Sequence, residues 1–158
     1  MTIAGAVSNS GTIIVVGAEN ESGSLIATSA SAFTLSYDLY VPATQWKLVG
    51  IPVSGEVVGD IDDNLATNTV GGVNKIGLGY WNTTSSSWTV LAASATGDGL
   101  SQTRGYEMIH SSGDVVRFSG NLRADSRSTV STLSNRWTLL GNPYPSYLRL
   151  TDDAADAS

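Results

Sequence analysis

The sequence predicts an all-β fold: an antiparallel β-sandwich-like domain preceded by an N-terminal β-repeat segment. Three observations predict it. Apolar and polar residues alternate in short runs, the period-two pattern of strands that turn one face inward. Those runs are bounded by clusters of Gly, Asn, Asp and Ser, which favour turns. The runs recur at intervals that suit a sandwich or stacked β-layers. A length of 158 residues with 41% hydrophobic content is enough for about one packed core.

Taken in order, the candidate strands are 12–16, 24–28, 32–40, 45–51, 75–81, 87–91, 105–110, 115–119, 128–133 and 137–140. In 32–40 the inward set is Phe33, Leu35, Tyr37 and Leu39, while Thr34, Ser36, Asp38 and Tyr40 form a wet face. The run Ser111-Ser112-Gly113-Asp114 predicts a hairpin joining 106–110 to 115–119, with glycine supplying a positive φ. Residues 82–86 predict a second hairpin, between the strands of Tyr80-Trp81 and Trp88. Residues 59–66 predict one helical turn, with Asp60 as N-cap and Ile61 and Leu65 one turn apart.

An internal echo stands out. Trp46-Lys47-Leu48-Val49-Gly50-Ile51-Pro52 and Trp137-Thr138-Leu139-Leu140-Gly141-Asn142-Pro143 both read W-x-L-[VL]-G-x-P. Each copy predicts a strand anchored by Trp and Leu that ends at Gly, after which Pro cannot continue the hydrogen-bonded ladder and the chain leaves the sheet.

These segments, with the run NKIGLGYWNTTSSSW, the pairs Gly105-Tyr106 and Phe118-Ser119-Gly120, and the loop Gly141-Asn142-Pro143-Tyr144-Pro145-Ser146, resemble a recurrent segment of large surface proteins from bacteria that use type IX secretion. The resemblance covers about residues 44–156, and residues 1–31 resemble the β-repeat that often precedes that segment, through Gly11-Thr12-Ile13-Ile14-Val15 and Gly23-Ser24-Leu25-Ile26. GNPYPS is its most specific part, because two prolines, an Asn and a Tyr fix a loop conformation. The resemblance implies an exported, multidomain protein at the cell surface or released from it, with its sorting domain further toward the C-terminus. Three regions are expected: N-terminal repeat strands (1–31), the sandwich (32–150), and a linker or truncated loop (151–158). A strand lost beyond that end would leave an open sheet edge.

Composition narrows function. Charged residues are 14% of the chain, so its solvated faces are rich in hydroxyls rather than ions. A net charge of −6, with basic residues such as Arg117, Arg123, Arg127 and Arg136 scattered, argues against nucleic acid and anionic membranes. No apolar run approaches the roughly 18 residues of a membrane span, and the start lacks the pattern of a signal peptide, so an internal piece of an exported parent is expected. The absence of cysteine removes disulfides and thiolate metal sites.

Chemical constellations are sparse. His110 is the only histidine and reads as a surface or edge residue beside a turn; no G-x-S-x-G elbow accompanies it. Glu19, Glu21, Glu56 and Glu107 fall in or near loops without a glycosidase pattern. Asp60, Asp62 and Asp63 are weak candidates for calcium, lacking the Gly and distal Glu of an EF-hand loop. Neither an enzyme nor a cofactor is expected.

Aromatics supply the binding candidates. The aromatic set Tyr80, Trp81, Trp88 and Tyr106 is the best binding candidate, with Tyr80, Trp81 and Tyr106 as the candidate ligand-binding residues, because sugar rings stack on flat exposed aromatics and a weakly charged surface suits a neutral glycan. Tyr80 and Trp81 are adjacent on one strand and so face opposite ways. A competing reading makes Trp46, Trp88 and Trp137 interior anchors and Trp81 a partly exposed edge residue. The expected function is a non-catalytic extracellular module with an adhesive or structural role, its partners neighbouring domains or further copies of itself. The alternatives are a polysaccharide-binding module and a filament subunit assembled by strand exchange.

Overall fold

The computed structural model describes residues 2–3, 11–27, 34–122 and 136–147. The strands are β1 (Thr2–Ile3), β2 (Ile13–Val15), β3 (Ile26–Ala27), β4 (Thr34–Val41), β5 (Lys47–Val49), β6 (Thr67–Val70), β7 (Val73–Asn82), β8 (Ser87–Ala92), β9 (Tyr106–Met108) and β10 (Asp114–Asn121), with 3₁₀ turns at Val58–Asp60 and Asp62–Asn64. The fold is all-β and sandwich-like. A three-stranded sheet has the order β10-β4-β2, and a five-stranded sheet is built around β7. In the latter, β9 and β6 lie end to end along one edge of β7, where Gly77 donates to Ala66 and accepts from Ile109, and β8 runs along the other edge. β5 pairs with the far side of β9. The pairings of β10 with β4 and throughout the five-stranded sheet are antiparallel, whereas β2 joins β4, and β1 joins β3, in parallel. Among the described residues no helix is long and apolar enough to cross a membrane.

One hydrophobic cluster draws on both sheets. Leu35, Val41, Val116 and Phe118 come from the three-stranded sheet, and Val49, Ile76, Leu78, Tyr106 and Met108 from the five-stranded one. Ile61 and Leu65 close one end. Their burial agrees with the spacing of the expected helical turn, but the backbone forms two 3₁₀ turns instead. The Asp60 carboxylate accepts from Val57 N–H at 2.9 Å, so Asp60 stands at the third position of its turn rather than at the N-cap.

Four expectations are corrected. Residues 111–114 do not make a hairpin, because β9 belongs to the five-stranded sheet and β10 pairs with β4; the turn crosses between sheets, and Gly113 takes φ +77° there. His110 is not a surface residue. It is 5% exposed, and its Nδ1 accepts from the backbone N–H groups of Ser112 and Gly113, both at 3.0 Å, so it organises the crossover. The expected wet face of β4 is covered at its middle, while Thr34 is exposed and Tyr40 half-buried. Ser36 and Asp38 are buried beneath their cross-strand partners, Ser36 Oγ lying 3.0 Å from Ser119 Oγ and Asp38 taking a two-pronged ion pair from Arg117 at 2.6 and 2.9 Å. Residues 137–140 form no strand. They lie against 103–105, where Leu140 bridges Arg104 and Gly105 N–H donates to Leu139.

The hairpin at 82–86 is present, with Asn82 Oδ1 accepting from Thr84 and Ser85 and Trp81 opposite Trp88. β6 was not expected from alternation. Its signal is Gly71-Gly72, a two-residue turn with φ +59° and +79° that returns the chain into β7. The candidate strand 128–133 and the region 151–158 lie outside the described residues.

The two copies of the echo meet in space. Gly50 follows β5 in the first copy and lies so close to Asn142 of the second that a Cβ there would sit 2.6 Å from the Asn142 nitrogen. In the GNPYPS loop, Asn142 Oδ1 accepts from Tyr144 N–H at 3.1 Å and its Nδ2 donates to the Ser146 carbonyl. Pro145 is fully buried and its carbonyl accepts from Leu25 N–H at 2.6 Å. The loop therefore ties the N-terminal segment to the end of β5.

Candidate functional site

The solvent face of the five-stranded sheet gathers all four tryptophans. Its rows follow from strand register. Leu48 stands opposite Glu107, Glu107 opposite Gly79, and Gly79 opposite Val90, so these four share one row across β5, β9, β7 and β8. Trp81 opposes Trp88 in the next row. Alternation puts Trp46 on the side of Leu48 and Gly77 on the side of Gly79.

Gly77 and Gly79 carry no side chains in the middle of this face; those of Ile109 and Glu107 lie close over them, and a trough runs past Gly77. A Cβ on Gly77 would lie 2.4 Å from the Ile109 carbonyl oxygen, and one on Gly79 would lie 2.9 Å from Glu107 Oε1. Trp46 walls one side and Trp88 the other, and Asn68, Lys75, Gly77 and Ile109 are among the lining residues of this roughly 620 Å³ groove. A second groove of about 260 Å³ adjoins it, lined by Leu48, Trp81, Trp88, Trp137, Thr138 and Leu139. Trp88 is common to both and forms the ridge between them. The larger volume lies within the range of small-molecule sites.

Two of the indoles, those of Trp81 and Trp88, are held in place. Trp81 and Trp88 pack edge to face at 5.6 Å between ring centres, a favoured aromatic geometry. Trp81 Nε1–H donates to the Trp137 carbonyl at 3.0 Å. Arg136 grips the β7–β8 turn through the Thr84 carbonyl at 2.7 Å and Ser86 Oγ at 3.1 Å. Trp46, Trp88 and Trp137 are all exposed, Trp137 at 86%, and Leu48 is 61% exposed beside them. The interior-anchor reading of these tryptophans is thereby overturned: each copy of the echo buries its proline and directs its tryptophan outward.

Glu107 lies under this face, buried between Leu48 and Val90 in its row. Burial raises its carboxyl above the usual range, and no second carboxylate contributes. Among the described residues none donates a hydrogen bond to it. Lys75 is engaged, donating to the Val90 carbonyl at 3.0 Å.

The structure separates the three expected binding residues. Trp81 is on the trough face. Tyr80 and Tyr106 oppose each other on the inner face and line a different cavity of about 310 Å³. The Arg104 guanidinium lies 4.5 Å above the Tyr80 ring. Tyr106 is buried in the core, where its hydroxyl accepts from Ser101 N–H at 2.8 Å, and burial raises its phenol. Trp88, part of the expected aromatic set, lies on the trough face with Trp81, whereas Trp46, Trp137 and Glu107 were not among the expected binding residues. Trp137 could not be placed from the sequence because its position depends on contacts with residues more than fifty positions away. Among the described residues no three His, Asp or Glu side chains converge, those of Asp60, Asp62 and Asp63 included. Comparison with known proteins finds no matching family model, no matching curated protein and no matching solved structure.

Proposed function

We propose that this chain is a non-catalytic module of an extracellular surface protein, that its role is adhesive, and that its contact surface is the tryptophan face. The observation that carries this reading is that all four tryptophans border one sheet face around two adjoining grooves, three of them exposed. A solvent-facing sheet normally carries polar side chains, and large apolar groups held rigidly in water mark contact surfaces. Tryptophan is also the residue type most enriched among those that dominate binding energy. The hydroxyl-rich, cysteine-free composition and the GNPYPS-type motifs support an exported parent.

The test coats particles with the chain and measures their retention on polysaccharide, protein and lipid surfaces. Retention on at least one surface is expected, and it should be lost in the Trp88→Ala, Trp137→Ala double variant with the unfolding midpoint little changed. Retention that survives the double substitution assigns adhesion to another face, and no retention anywhere refutes the adhesive role. Filament assembly is a second reading, favoured by one observation: β2, from the N-terminal segment, adds to the edge of β4 in parallel. It predicts polymers in light scattering that vanish when residues 1–17 are removed; a monomer in both forms excludes it.

A further inference from the structure

We propose that the trough past Gly77 binds a linear glycan of uncharged sugars, with ring faces on Trp46 and Trp88 and hydroxyls on the Glu107 carboxylate, which lies over Gly79. The inference rests on the reading of this face as the contact surface and names the class of ligand it takes.

Two properties of the trough select a glycan. Its walls are indoles, whose negative π faces attract the weakly positive C–H groups on the flat side of a pyranose ring. Between the strands that carry those walls, in the row of Leu48, Gly79 and Val90, lies Glu107, a largely buried carboxylate with no donor among the described residues. Neighbouring sugar hydroxyls are donors that can pair with both of its oxygens. An apolar peptide or a lipid chain would instead cover that carboxylate and leave it unpaired, which is costly.

Charge excludes the acidic sugars. Lys75 is the cation of the groove, and it is already bonded to the Val90 carbonyl. The protein carries a net charge of −6, and Glu107 would repel a uronate lying over it. The dimensions call for a chain rather than a single sugar. β5 and β8 are separated by three strand spacings of about 4.8 Å, so the backbones of the two strands are roughly 14 Å apart. One ring cannot touch Trp46 and Trp88 together.

The test is calorimetric titration of the full chain with six-sugar oligomers of glucose, mannose and xylose, with a galacturonate oligomer and a non-ionic detergent micelle as controls. At least one neutral oligomer should bind. Trp46→Ala and Trp88→Ala should each weaken it about tenfold or more, and Trp46→Phe should retain part of the affinity. Glu107→Gln should weaken it less, because an amide keeps one acceptor. Tyr147→Ala, an exposed aromatic outside the trough, should change nothing. Unfolding midpoints of all variants separate loss of binding from loss of fold. Failure of every neutral oligomer to bind overturns the proposal, as does tighter binding of the galacturonate. Glycan binding that ignores Trp46 and Trp88 overturns both this proposal and the contact-surface reading. Detergent binding that requires Trp88, without glycan binding, overturns the glycan assignment alone and leaves the contact surface standing.

Discussion

Replacing Glu56 with Gln should flatten the pH dependence of stability, and the structure gives the size of the effect. Residues 53–56 run along the outer edge of β10, where Ser54 and Asn121 exchange backbone hydrogen bonds. Glu56 then turns its carboxylate onto that edge, where Oε1 accepts from Ser119 N–H. Glu56 is 2% exposed, and Oε2 has no hydrogen-bond partner among the described residues. Burial lifts the carboxyl from 4.5 to about 7; the Ser119 hydrogen bond opposes that rise and the charge of Asp60 adds to it. The folded state therefore holds a proton that the unfolded chain has already released between these two values. Stability from this group is fully present below pH 4.5 and is lost as pH rises through about 7. At about 1.4 kcal/mol for each tenfold change in proton affinity, the loss is on the order of 3 kcal/mol. Glu56→Gln keeps an acceptor for Ser119 and carries no charge. Urea unfolding followed by tryptophan fluorescence should find the two proteins within about 1 kcal/mol of each other at pH 4, and the variant more stable by about 2–3 kcal/mol at pH 8. Glu107 contributes pH dependence of the same sign, but equally in both proteins. A difference between them that is the same at pH 4 and pH 8 would refute the reasoning.

Three further substitutions test the scaffold. Arg117→Ala removes the two-pronged partner of the buried Asp38 carboxylate and should lower the melting temperature, with Asp38→Asn on the same background recovering part of the loss; thermal scans of the three proteins check this. His110→Ala strips two backbone N–H groups of their acceptor and opens a cavity at the crossover, so denaturant titration should show a loss of about 2–3 kcal/mol. Asn142→Ala removes both bonds that shape the GNPYPS loop and should cost about 1–2 kcal/mol, with faster hydrogen exchange at Leu25, whose N–H is held by the Pro145 carbonyl of that loop.

Local signals in the sequence were enough for most strands. Alternation placed β4, β7 and β8, because one face of each must be apolar to reach the core. It missed β6, whose residues Thr67-Asn68-Thr69-Val70 are all exposed and show no burial pattern; there the diglycine turn was the better guide. Turn chemistry at 111–114 was correct locally and misleading globally, since a glycine at positive φ serves a crossover between sheets as well as a hairpin. His110 looked like a surface residue because its role, accepting from two backbone groups in the following turn, leaves no trace in hydrophobic spacing.

The site was legible in kind but not in membership. Adjacent Tyr80 and Trp81 had to face opposite ways, and the structure sends Trp81 alone to the trough. Tryptophans at strand starts suggest core anchors on hydrophobicity alone. Their exposure follows from register: Leu48 shares the outer row with Glu107, so Trp46, two residues before it, falls on the outer side, while Lys47 and Val49 oppose Met108 and Tyr106 within. That register is fixed by pairing between residues about sixty positions apart, which no local pattern encodes.

The most direct test of the tryptophan face follows the four indole N–H signals and the Gly77 and Gly79 amides by nuclear magnetic resonance while soluble forms of the polysaccharides and proteins from the adhesion panel are added. The account predicts that a binding partner shifts the indoles of Trp46, Trp88 and Trp137 and both glycine amides, and leaves the amides of β2, β4 and β10 in place. Binding that moves the three-stranded sheet and leaves the indoles unmoved would contradict it.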